Sequence, residues 1–144
     1  MKYKIVLDTN VLVSGLCRSI KSPTYEIVSN LGKKYELCLT PSIYLEYKDV
    51  LHRSKIKKLI NLNKNEINTV LHYIADIGQK FLTYYTWRPN LNDESDNKFI
   101  ECAIVSNADF VITGNIKHYK VYNITPIHYQ VITPRNFIDN FGGK

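Results

Sequence analysis

Three carboxylates in this chain stand where a solvent-facing acid would not be placed. Asp96 ends the polar stretch Asn92-Asp93-Glu94-Ser95 and leads into Asn97-Lys98-Phe99-Ile100-Glu101-Cys102-Ala103-Ile104, an apolar, helix-forming segment. Projected at about 100° per residue, Phe99, Ile100, Ala103 and Ile104 share one face; Asp96 falls in its middle and Glu101 opposite. A charge on a core-facing stripe is costly unless something compensates it. Asp8 directly follows Ile5-Val6-Leu7, a short apolar run that reads as a buried strand, so it marks where that strand ends. Glu46 lies between Ile43, Tyr47 and Val50 on a predicted helix, flanking the apolar stripe rather than facing water.

Acids drawn together from three places repel one another, and a divalent cation would hold them. All three are hard oxygen ligands of the kind that suits Mg2+ or Mn2+, and no soft Cys or His cluster accompanies them as zinc would ask. A metal held this way would lower the pKa of a bound water and so supply a nucleophile at neutral pH. Thr9, Asn10 and Ser14 could orient the carboxylates or a water, while Thr9 or Asn10 could as well cap the helix that follows. Taken singly, Asp8 and Glu46 read more simply as ion-pair or capping residues; the three acids together favour catalysis.

The elements that must position these acids alternate. Lys4 to Asp8 is a strand, turned by Thr9-Asn10 into a helix through Val11, Leu12, Val13 and Leu16. Ser22-Pro23 is a cap followed by proline at the first helical position, with Ile27, Val28 and Leu31 as the face and Gly32 as the stop. Glu36 to Leu39 is a second strand, and Thr40-Pro41 repeats the device to open the Glu46 helix, which ends near His52. Asn63 with Glu66 resembles a capping box before an amphipathic helix through Ile67, Val70, Leu71 and Ile74 to Gly78. Phe81 to Tyr84 reads as a third strand. The Asp96 helix comes next, then the strand Asp109 to Thr113, which Gly114-Asn115 ends, placing Thr113 and Asn115 at the same kind of strand end as Asp8. Tyr129 to Thr133 is the last strand, and Thr133-Pro134 opens a helix with Phe137, Ile138 and Phe141. This order predicts a three-layer α/β/α sandwich, Rossmann-like, with a mainly parallel sheet of roughly five strands, whose ligands would lie at the strands' carboxyl ends.

At 144 residues the chain reads as a single domain, residues 1–144, able to bury about 70% of the surface its unfolded form exposes. A formal charge of +6 and a pI near 9.2 fit a polyanionic partner, nucleic acid being the usual one. The basic run His52-Arg53-Ser54-Lys55-Ile56-Lys57-Lys58, with Arg88, Lys98, Lys117 and Lys120, could follow an RNA backbone, although a solvated face is the plainer reading of the run. Cys17, Cys38 and Cys102 each sit among apolar neighbours and read as reduced core thiols of a cytoplasmic protein. No stretch has the apolar length of a membrane span and none reads as a signal peptide.

Four segments, in order, carry a family resemblance over essentially the whole chain: Val6-Leu7-Asp8-Thr9-Asn10, Glu46 in the third helix, Asp93-Glu94-Ser95-Asp96-Asn97-Lys98-Phe99, and Ala108-Asp109-Phe110-Val111-Ile112-Thr113-Gly114-Asn115. The chain resembles a PIN domain, in particular the single-domain PIN proteins that act as toxins of toxin–antitoxin pairs. The resemblance implies a PIN-like fold and a Mg2+- or Mn2+-dependent ribonuclease with one or two ions. Its catalytic acids would be Asp8, Glu46 and Asp96, with Asp93 a further metal ligand or else an N-cap. Cleavage would leave a 5′ phosphate and a 3′ hydroxyl. A protein antitoxin and a homodimer are the partners implied. Many PIN domains carry a fourth acid in a Thr-x-Asp pattern after the fourth segment's strand, where this chain has Asn115, which removes one charge and puts a second metal in question. Gly114-Asn115-Ile116-Lys117-His118 is similar to a subgroup of relatives, and a catalytically weak or inactive PIN-like RNA-binding or regulatory domain is the alternative. A haloacid-dehalogenase-type phosphatase would want Asp-x-Asp after the first strand, and Asp8-Thr9-Asn10 lacks the second acid.

Overall fold

A computed structural model describes residues 2–17, 22–82, 97–119 and 128–142, with backbone alone for Asn97 and His118. The elements run β1 (Tyr3–Leu7), α1 (Thr9–Leu16), α2 (Pro23–Ser29), β2 (Tyr35–Leu39), α3 (Pro41–Leu51), α4 (Ser54–Ile60), α5 (Lys64–Ile77), β3 (Gln79–Lys80), α6 (Asn97–Ser106), β4 (Phe110–Ile112), a 3-10 turn (Ile116–Tyr119), β5 (Gln130–Ile132) and α7 (Pro134–Phe141). All strand pairs are parallel, in the order β3-β2-β1-β4-β5. The fold is the α/β/α sandwich with a five-stranded sheet that the alternation predicts.

β1 is the central strand, and its sequence suits that place. Ile5, Val6 and Leu7 are all fully buried, so side chains on both faces of the pleat meet covered surface, as a parallel sheet between helix layers requires. Its register sets Leu7 beside Ile112. From β1 the chain steps outward through β2 to β3, then returns past β1 to lay down β4 and β5. The reversal between β1 and β4 is a topological switch point, and its crevice lies above their carboxyl ends. At the opposite end of the sheet Tyr3, Phe110, Phe137 and Phe141 pack edge to face or tilted, except that Phe137 stacks on Phe141, with Phe110 and Phe137 ring centres 5.1 Å apart, so the aromatic packing braces the end away from the switch point.

The helix starts form as local chemistry predicts. Ser22, Thr40, Asn63 and Thr133 each accept a backbone N–H from inside the helix they open, and Asn63 and Glu66 complete a reciprocal capping box. α1 lies close against α2 at Gly15, where a Cβ would stand 2.3 Å from Val28 Cγ2 and 2.7 Å from the Thr24 carbonyl. Only a residue without a side chain allows that approach.

Three expectations need correction. The third strand is Gln79–Lys80, ahead of the expected Phe81 to Tyr84, because pairing of Cys38 with Gln79 and Leu39 with Lys80 decides it. Phe81 N still donates to the Leu39 carbonyl at 2.9 Å, and Thr83 and Tyr84 lie outside the described residues. Gly32 does not stop α2; Asn30 closes that helix, and Gly32, at φ 80°, supplies the left-handed turn into β2. Cys17 is exposed at the C-cap of α1, whereas Cys38 and Cys102 are buried; all three are free thiols. No helix of the described residues is long and apolar enough to cross a membrane.

Candidate functional site

Asp8 is the first residue beyond β1 and the N-cap of α1, so one residue ends a strand, starts a helix and faces the switch point. Its backbone N–H continues the sheet ladder to the Ile112 carbonyl at 3.1 Å. Its carboxylate accepts the Asn10 N–H at Oδ1 (3.3 Å) and the Thr113 hydroxyl at Oδ2 (2.7 Å). Thr113 follows β4 as Asp8 follows β1, and its buried hydroxyl also accepts the Asn115 N–H at 3.0 Å. Asp8 is only 8% exposed, and among the described residues no lysine or arginine makes an ion pair with it. The hard oxygens of this nearly buried carboxylate, held by neutral donors, fit a hard divalent cation.

Glu46 reaches the same crevice from α3. The Thr9 hydroxyl donates to Glu46 Oε2, and the Lys98 ammonium, from the first turn of α6, meets Oε1 at 2.5 Å. The Lys98 and Glu46 side chains are 25% and 24% exposed, so the pair lies at the rim of the crevice. The next residue, Tyr47, is fully buried and donates its hydroxyl to the Leu7 carbonyl at 2.6 Å. Burial pushes the Tyr47 phenol well above its ordinary range, and the neighbouring acidic groups Cys102, Asp8 and Glu46 add to the shift wherever they are ionised. This phenol is therefore a fixed hydrogen-bond donor at neutral pH.

The structure brings Asp8, Thr9, Glu46, Lys98 and Thr113 together. Asp93, Asp96 and Arg88 lie outside the described residues, and among the described residues no three His, Cys, Asp or Glu side chains gather as a metal cluster. Asp8 settles the capping question: Thr9 and Asn10 lie inside α1, where Thr9 turns its hydroxyl to Glu46 and Asn10 gives Asp8 its backbone N–H. Ser14 shares a 2.9 Å hydrogen bond with Thr24 of α2 instead of approaching either carboxylate. Asn115 is exposed just beyond Thr113.

Of the basic residues, Arg53 pairs with Asp49 at 2.8 Å on an open surface. Lys55 and Lys58 are exposed and Lys57 half-buried on α4, a helix that packs on α1 and α3. Lys117 is exposed in the 3-10 turn after Asn115. Two features escaped the sequence: the Thr9–Glu46 bond, spanning 37 residues, and the Lys98–Glu46 pair, spanning 52. Neither partner is near the other in sequence, so residue spacing shows neither contact.

A family model described as PIN domain matches residues 4–117. The chain is 31% identical over 152 residues to the uncharacterized protein MJ1680 of Methanocaldococcus jannaschii, an alignment that spans 98% of this chain and 93% of that relative. In fold it is similar to a chain of the crystal structure of VapBC2 from Rickettsia felis bound to a DNA fragment from their promoter. The TM-score is 0.58 at 16% identity, covering 89% of this chain and 98% of that one.

Proposed function

The chain belongs to the PIN domain family, and on that premise we propose that it is a metal-dependent ribonuclease, an endonuclease that cuts RNA at the crevice above β1 and β4. The observation that carries this reading is Asp8: a nearly buried carboxylate at the switch point, fixed by Thr113 and the Asn10 N–H, with Glu46 beside it. Asp8 would hold Mg2+ or Mn2+ together with Asp96 and Asp93. Bound there, the ion would supply an activated water and take up charge on the phosphate.

The chain's own residues do the rest. Thr113 and the Asn10 N–H hold the Asp8 carboxylate in one orientation, so binding an ion costs little reordering. Tyr47, by gripping Leu7, holds α3 and thus Glu46 at a set distance from the end of β1. The excess positive charge draws the polyanion, and Arg53, Lys55, Lys57, Lys58, Arg88 and Lys117 are the backbone contacts we assign.

A toxin of a toxin–antitoxin pair, acting in the cytoplasm against RNA and restrained by a protein antitoxin, is the biological role that fits this activity. The similarity in fold to a chain of a VapBC2 complex supports the antitoxin, and a homodimer is compatible with it. A catalytically weak or inactive RNA-binding domain is the second reading, favoured by the amide of Asn115 and by the lysine against Glu46. The deciding experiment is cleavage of a mixed RNA with Mn2+ by the wild-type and Asp8→Asn proteins. Cleavage by the wild type alone supports the nuclease; equal cleavage by both removes it, and RNA binding without cleavage by either favours the second reading.

A further inference from the structure

The two described carboxylates of the crevice are not equivalent. Glu46 has both oxygens engaged, Oε2 by Thr9 and Oε1 by Lys98, and the ammonium balances its charge. Asp8 receives neutral donors only, among the described residues. Lys98 stands in the first turn of α6, where the helix dipole disfavours a cation, so the helix itself gives no reason for a lysine there. An ammonium has three N–H donors, and among the described residues one of them is spent, on Glu46. Thr9, the residue adjoining Asp8, bonds to Glu46 of this pair, so an ammonium stands at the rim of the same crevice.

Resting on the nuclease reading above, we propose that Lys98 is a contact for a phosphate of the bound strand and that Glu46 is its positioning residue, not a ligand of the metal ion. The division has a physical logic. A crevice holding only acids would repel the backbone it must admit, and a strongly hydrated point charge such as an ammonium is suited to a phosphate. Glu46 keeps the long, flexible lysine side chain from wandering, which lowers the entropy lost when a phosphate arrives.

The test uses wild type, Asp8→Asn, Glu46→Gln, Lys98→Met, Lys98→Arg and the Glu46→Gln/Lys98→Met double variant, each checked for cooperative melting. Calorimetric titration with Mn2+ alone should give Glu46→Gln an affinity within about threefold of wild type, and Asp8→Asn an affinity weaker by more than about tenfold. In binding a labelled single-stranded RNA without divalent ions, Lys98→Met should lower the slope of log affinity against log salt by about 0.7, the share of one phosphate contact; Lys98→Arg should keep the wild-type slope. In Mn2+-dependent cleavage the double variant should be no slower than Lys98→Met alone, since Glu46 acts through the lysine. A Glu46→Gln protein as deficient in Mn2+ as Asp8→Asn, a Lys98→Met protein with the wild-type salt slope, or multiplying defects in the double variant would each overturn the proposal. A wild type that does not cleave would refute the nuclease reading alone, and the Mn2+ and RNA titrations would still decide the roles of Glu46 and Lys98.

Discussion

The hydroxyl of Tyr47 donates to the carbonyl of Leu7 across 2.6 Å of fully buried space. This bond joins the residue after Glu46 to the residue before Asp8, so it fixes the separation of two carboxylates that would otherwise push apart. Tyr47→Phe keeps the ring and strands the Leu7 carbonyl, and the expected loss is about 1–3 kcal/mol, the cost of a buried unsatisfied acceptor. Urea unfolding measures it. A loss within error would mean that water satisfies the carbonyl and that the brace contributes nothing.

Mn2+ should raise the melting temperature of the wild type, because a ligand that binds only the folded state stabilises it by about 2.7 kcal/mol at a hundred times its dissociation constant. Asp8→Asn should remove that rise, and a chelator should reverse it in the wild type and abolish cleavage. Calorimetric melts with and without the ion report both. A full rise in Asp8→Asn would place the ion elsewhere.

Gly15→Ala should destabilise the fold by about 1–3 kcal/mol, the usual range for overpacking. The new methyl would meet Val28 Cγ2 at 2.3 Å and the Thr24 carbonyl at 2.7 Å, and the carbonyl cannot turn aside. The same protein carrying Val28→Ala should recover part of the loss, leaving the carbonyl contact. Chemical denaturation of the two variants makes the comparison.

Thiol chemistry should separate the cysteines. Burial pushes the Cys38 thiol up, and burial with the nearby Cys38 pushes Cys102 up further, so at neutral pH a thiol reagent should modify Cys17 rapidly and the other two only on unfolding. The shifts also fix the sign of a pH effect. Both folded values lie above that of an unfolded thiol, about 8.5. Their contribution to stability is therefore fully present below pH ~8.5 and is lost as the pH rises towards the folded values. The urea midpoint should fall above that pH, and less steeply in Cys102→Ala.

What the sequence made legible was local. Ser22, Thr40, Asn63 and Thr133 were readable as caps because each bond closes within a few residues, and β1 was readable because an apolar run ending in an acid has few places to go. β3 was not: Gln79 and Lys80 are exposed and polar, and only their pairing with β2 makes them a strand. Cys17 misled because its apolar neighbours in sequence are turned inward by α1 while it caps the end. In the crevice, Asp8, Glu46 and Thr113 could be singled out by type and position. Their long-range hydrogen bonds could not, since Thr113 comes to Asp8, and Thr9 and Lys98 come to Glu46, from other elements.

The sequence separation of 105 between Asp8 and Thr113 also sets a clock. At ribosomal speeds of about 5–20 residues per second, roughly 5–20 s separate synthesis of the carboxylate from synthesis of the hydroxyl that holds it. A nascent chain thus carries its acids without the hydroxyl that orients Asp8, and maturation of the crevice waits until β4 has left the exit tunnel.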